Sequence, residues 1–417
     1  RIRVQKTIER VDENIRLPHH ISEITQTNPN GERYVYGIPA YNISKKEVSY
    51  TTDTKQASIG DGKMGYNSTE ASVQNEAGID GYYSSTTTPP YAHSYLLTAK
   101  LSEDYQDVTG DGVSPDDIGN AYKFSYQRTS DKYKWRVPYE NASNFMEGFR
   151  SNEFDQKGSY TYGEKEMWYL HTIKSKNQVA EFYISPRQDA IGVKGEEGGK
   201  LSSSISNNNK SYQLDSILLF SKYERAINKE GAVPIQKVVF TYDTSLCKGV
   251  PNHEVNGGGK LTLKKIEISY GDSERGKKSP YEFTYSDFNP EYNSDMVDRW
   301  GNYKDKSINP AGVKNAHFPY VVQDTSIEDY NPDRWASAWS LTKIQLPTGG
   351  TIEVEYEADD YAYVQNKPAM QMYPVVGAGV STTYDDSDLL YGKNYLYINR
   401  PPQIASDAPN QLVREWL

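Results

Sequence analysis

The chain has 417 residues and a formal net charge of -10, which leaves room for two or three domains and sets net repulsion against a polyanion such as nucleic acid. Apolar residues are only 36% while tyrosine occurs 36 times, a balance that suits half-buried pleated sheets better than helices. The single cysteine, Cys247, excludes an internal disulfide, and no run of about 18 apolar residues exists to form a transmembrane helix, although that measure says nothing of outer-membrane strands.

The chain opens on RIRV, without a Met or a signal-like apolar core, and stops at REWL after a Pro-rich stretch. It therefore reads as a processed product or a piece of something larger. His19-His20 could in principle hold a metal, but adjacent residues of a strand point to opposite faces, so a surface pair is expected. Tyr82-Tyr83, and later Tyr361-Ala362-Tyr363, could stack on sugars if exposed, or pack between sheets.

The stretch DVTGDGVSPDD, Asp107 to Asp117, crowds acids around glycines between two strand-like segments. Calcium takes six to eight oxygens, and Asp107, Thr109 and Asp111 at alternate positions could converge on one ion, joined by the Val113 carbonyl. Gly112 stands where an EF-hand loop bends. The match then fails, with Pro115 in ninth place and Ile118 in twelfth, so Asp116 or Asp117 would have to close the shell. The other reading is a solvated turn, in which aspartates bond nearby amides and Ser114-Pro115-Asp116-Asp117 starts a short helix.

Farther on, YKFSYQ (Tyr122 to Gln127) and YKWRVPY (Tyr133 to Tyr139) flank Thr129 to Lys132 and read as a hairpin. MWYLHTIKS and VAEFYIS form a second hairpin around Lys176 to Gln178. The Gly/Ser/Asn-rich stretch from Lys194 to Ser211 offers little core. We expect a β-rich domain over 1–193, a mobile linker or a long surface loop over 194–211, and a second β-rich region over 212–417 that continues beyond the chain end.

In that second region a strand–turn–strand pattern ending in an alternating apolar run, tyrosine and an acid recurs three times: QLDSILLF to VVFTYD, KLTLKKIEISYGD to YEFTYSD, and SLTKIQLPTGGTIEVEYEADD. In the third, Pro347 to Gly350 reverses the chain. Ile352, Val354 and Tyr356 are expected to face a core, and Glu353, Glu355 and Glu357 to face solvent near Lys343. RWASAWSL near Arg334 predicts one or two turns of helix. The fold class is all-β, with antiparallel sheets and hairpins and very little helix.

Catalytic patterns fail one by one. His253-Glu254 begins like a zinc HExxH, but Gly257 stands at the second histidine position. Gly259-Lys260 lacks the preceding glycine and the Ser or Thr of a phosphate loop. Cys247 has no local activating partner and no GxSxG elbow occurs. The three glutamates sit on a surface that gives no sign of a cleft. No enzymatic activity is expected.

The segments DRWGNY (Asp298 to Tyr303) and LTKIQLPTGGTIEVEYE (Leu341 to Glu357), with RYVYGIPAYN (Arg33 to Asn42) and KLTLKKIEISYG (Lys260 to Gly271), resemble Rhs/YD-repeat-like regions of very large secreted and surface proteins. Those proteins belong to Gram-negative bacteria that use type IX secretion. The resemblance implies a layered or partly wrapped sheet, a YD-like region over 212–417 leading into a repeat array, and a shell or scaffold role around a toxic cargo. The implied partners are the rest of a larger polypeptide, secretion-system components or surface glycans, and the implied location is extracellular. The rival is an adhesive or carbohydrate-binding module.

Overall fold

A computed structural model describes residues 15–53, 63–144, 155–200, 207–309, 314–315, 318, 332–358, 363–364, 367–368, 375–382 and 392–398. The chain divides into two compact units, Arg1–Ser294 with Ser337–Tyr356, and Asp295–Ala336 with Glu357–Leu417.

The first unit carries one 15-stranded sheet whose described pairings are antiparallel. Its strands are β1 (Ile24–Thr27), β2 (Arg33–Thr51), β3 (Lys63–Met64), β4 (Tyr83–Thr88), β5 (Tyr91–Leu101), β6 (Ala121–Val137), β7 (Ala142–Asn144), β8 (Lys157–Lys174), β9 (Gln178–Ile191) and β10 (Lys210–Ser221). A short helix α1 (Lys222–Asn228) precedes β11 (Gln236–Leu246), β12 (Lys260–Tyr270), β13 (Tyr281–Tyr285), β14 (Leu341–Gln345) and β15 (Thr351–Glu353). The all-β expectation is met.

β2 is long enough to change partner along its length. Its first half lies against β5, with Ile38 opposite Leu96, and its second half against β8, with Val48 opposite Tyr160. Because β5 pairs with β6 and β6 with β8, the four strands close into a ring of pairings. A ring leaves its members without a free edge, and its faces can be buried. Val48, Tyr50, Ala142, Tyr160, Tyr162 and Val193 form the main core, with Tyr66, Tyr83 and Tyr139 packed on it. Gly163 is required here, since a Cβ would sit 2.6 Å from the Trp135 ring lying over it. Arg136, 4% exposed, places its guanidinium 4.3 Å from the Tyr160 ring centre and donates to the Glu196 and Pro138 carbonyls. The high tyrosine content thus has a structural use: rings fill the core and their π-faces hold a buried cation.

Beyond the ring the sheet opens into a meander, β8-β9-β10-β11-β12-β13-β14-β15. No residue of β11, β13, β14 or β15 is buried. The alternation expected to give the third strand–turn–strand unit a core face is present, but Ile352 is 47% and Tyr356 37% exposed. Period-two patterning specifies which side chains share a face, not that anything covers it. The pairings themselves follow the three repeats: Val239 lies opposite Ser216, Lys265 opposite Glu282, and Lys343 opposite Glu353.

Three further expectations are corrected. Thr129 to Lys132 is no hairpin turn; β6 runs straight through it, and the surplus residues are absorbed as register shifts against β8 between Arg128 and Tyr133. Turn-forming residue types also serve bulges, which bend a strand without reversing it. The stretch 194–211 is not where the units divide: β9 and β10 pair across it from Ile191–Lys210 to Gln178–Ser221. Its glycines let 194–199 fold back on the end of β6, with the Gly199 amide donating to the Tyr139 carbonyl. Ser114 to Asp117 forms turns in place of a helix start.

In the second unit, Asp298 of DRWGNY accepts the Trp300 and Asn302 amides across a turn with Gly301 at φ 91°. Tyr303 is thereby buried against Trp335 of α2 (Pro332–Ala336), the short helix expected near Arg334. Lys304, fully buried, donates to the Phe318 carbonyl over that residue's ring, and burial pushes its ammonium pKa down to about 8. Two small hairpins follow, β16 (Tyr363–Val364) with β17 (Lys367–Pro368) and β18 (Val375–Gly379) with β19 (Tyr395–Ile398).

Stability should therefore be uneven along the sheet. Chemical denaturation is expected to show a loss of about 3–4 kcal/mol for Tyr160→Ala, a large deletion from a closed core, and of under about 1 kcal/mol for Ile352→Ala, whose site has little to lose.

Candidate functional site

The loop 107–117 hangs between β5 and β6 and is closed at its base by a bridge between Gln106 and Ile118. Asp107 organises the turn, accepting the Gly110 amide at 2.6 Å and the Gly112 amide at 3.0 Å, with both glycines at positive φ. The Thr109 hydroxyl donates to Asp111, and the Ser114 hydroxyl to Asp116. Asp117 turns back beneath the loop and is 6% exposed, taking the Tyr105 hydroxyl at 2.7 Å and the amides of Ser114 and Val108. Burial opposes its charge, but these donors outweigh that and hold its carboxyl below the usual aspartate range.

The six groups considered for calcium are thus divided between separate tasks. Among the described residues no group of three or more His, Cys, Asp or Glu side chains is placed to hold a metal ion. The Val113 carbonyl, expected as a ligand, accepts the Lys123 ammonium at 3.2 Å. A protein cation already occupies that flank of the loop.

Lys123 also belongs to a cleft of about 680 Å³, walled by the loop, by the β8–β9 hairpin and by α1. Five basic side chains and two acidic ones line it, an inversion of the chain's net charge of -10. The two acids are committed elsewhere: Asp117 within the loop, and Glu181 to Arg225 through a pair of contacts at 2.9 and 3.0 Å. Lys123 and Lys174 stand directly opposite each other in the β6–β8 register. Lys222 is brought to them because its amide donates to the Asn177 carbonyl of the hairpin turn. Burial lowers the pKa of Lys123, and Lys174 lowers it further; for Lys222 burial again leads, followed by Lys174 and Lys123. No signal in the sequence points to this cluster, because strand register unites residues 123 and 174 and a backbone bond to the hairpin turn adds residue 222.

The other patterns take structural places. His19 and His20 lie in a turn rather than a strand, with rings edge to face at 4.7 Å, and His20 shares a hydrogen bond with the Tyr41 hydroxyl. His253 is buried and bonds the Val255 amide, while Glu254 pairs with Lys210. Burial raises the Cys247 thiol pKa, which disfavours the thiolate. Glu353 is exposed and 3.9 Å from Lys343, the offset expected from their pairing. Tyr82 is 42% exposed with Lys157 over its ring, whereas Tyr83 packs on the main core. Tyr361 and Ala362 lie outside the described residues, as does the side chain of Tyr363.

Comparison with family models, with curated proteins and with solved structures finds no match.

A calcium titration separates the two readings of the loop. With Lys123 in place, Asp107 and Asp117 bonded to amides and Asp111 and Asp116 to hydroxyls, millimolar calcium and subsequent chelation should leave the melting temperature unchanged. A saturable rise that Asp107→Asn abolishes would make calcium the loop's ligand after all.

Proposed function

We propose that the chain is a non-catalytic scaffold segment of a large secreted or surface-displayed protein of the Rhs/YD-like kind, its sheet forming part of a more extensive β shell. The observation that carries this reading is the sheet from β11 to β15, a layer in which no strand has a buried residue except for Thr262 of β12. A sheet reaches stability by burying at least one face against another layer. A layer this long with exposed Ile235, Tyr270, Ile352 and Tyr356 is suited to receive more protein, either on its face or along β15 at its edge.

A second reading, a ligand-binding module displayed on the same surface, is favoured by the basic cleft. The two readings are compatible, since a scaffold can carry a site.

Protease treatment of intact producing cells, read with an antibody against residues 33–51, tests the first. The segment is expected in a chain much longer than 417 residues that external protease degrades. Recovery of a chain of about this length, protected inside intact cells, would overturn it.

A further inference from the structure

We infer that the cleft between the 107–117 loop and α1 is a binding site for a small molecule bearing two or more oxyanion groups. This deepens the ligand-binding reading above and is independent of the scaffold role.

The argument begins with register. Lys123 and Lys174 occupy directly paired positions on β6 and β8, where like charges oppose pairing. Either strand could carry a neutral side chain there without altering the ladder. Lys222 adds a third ammonium from the first position of α1. Among the described residues no carboxylate is within ion-pair distance of any of the three, and the two acids in the cleft are already committed to Arg225 and to the Tyr105 hydroxyl with loop amides. Burial, and after it the neighbouring lysines, lower the pKa of Lys123 and Lys222, with Asp111 and Asp117 offsetting part of this at Lys123.

Like charge concentrated in a concave site and only partly offset by the fold is a common mark of function. The volume of about 680 Å³ is that of a small-molecule site. Three separate ammonium groups suit several point charges better than one planar carboxylate, which an arginine fork would grip. Carboxylates and phosphates meet this requirement equally, so the experiment must separate them.

Isothermal titration at low ionic strength with pyrophosphate, citrate and a trimer of galacturonic acid provides that separation. The wild-type protein should bind at least one of the three at a single site, and the preferred probe identifies the oxyanion. Lys174→Gln and Lys222→Gln should each weaken that binding by about tenfold or more, the size of a lost charge-assisted contact. Lys132→Gln makes the same charge change on an exposed side chain that does not line the cleft and should alter affinity by less than about twofold through screened long-range effects. The ligand-free Lys174→Gln protein should melt no lower than wild type, because a repulsive pair has been removed. Failure of all three probes to bind would overturn the inference. So would equal weakening in Lys132→Gln and Lys174→Gln, which would show a response to net charge alone, or binding that both cleft variants leave unchanged.

Discussion

The closed part of the sheet depends on a buried carboxylate. Glu166 of β8 is 3% exposed and joins four pieces of chain: it pairs with Arg16 at 2.5 Å and Arg128 at 3.3 Å, and accepts the Tyr41 amide and the Trp168 indole at 3.1 Å each. Tyr41 lies immediately before Asn42, where β2 takes up β8. The carboxylate therefore bonds backbone at the point where β2 changes from one partner strand to another. Arg16 and Arg128 also stack on Tyr41 and Trp168, so the charges are enclosed by rings. Removing one member of such a group leaves a buried charge without its partner, a loss of about 3–5 kcal/mol.

That constraint accounts for the contrast between the two parts of the sheet. Where β2 pairs with β8 in the ring, tyrosines of both strands pack into the main core with Ala71, Ala142 and Val193. From β9 onward each strand pairs with its neighbours in sequence order; β9 and β10 bury Val179 and Phe220 with Ala232, whereas in β11 to β15 Thr262 is the one buried residue among the described residues. Asp189, fully buried on β9, takes both Arg187 and the Leu261 amide of β12, and so ties together two strands of the open region that are not neighbours in the sheet. The basic cleft lies near this transition, formed by residues of β6, β8, β9 and α1 together with the acidic loop.

The legible parts of the fold were those decided by local chemistry. Alternation with turn residues located the β8–β9 hairpin and the β14–β15 unit, because a short reversal places neighbouring runs side by side, and the recurring pattern located the β10–β11 and β12–β13 pairings across longer connections. The continuous β6 was not legible, since Thr129-Ser130-Asp131 has turn chemistry and only the partner strand makes it a bulge. The exposure of Ile352 was hidden for a related reason: alternation carries no information about a covering layer. For the site, sequence drew attention to Asp107, Asp111 and Asp117, yet the cleft beside them is defined by lysines spread over a hundred residues, two joined by strand register and the third by a bond from α1 to the hairpin turn.

Hydrogen–deuterium exchange resolved by residue tests most directly whether stability resides in the Glu166-centred ring. Amides of β2, β6 and β8 should exchange only through global unfolding, while those of β13, β14 and β15 exchange through smaller openings of lower free energy. Glu166→Gln should lower protection throughout the ring and leave that of β13 to β15 nearly unchanged. Equal protection across the whole sheet, or loss confined to β13 to β15 in Glu166→Gln, would contradict the account.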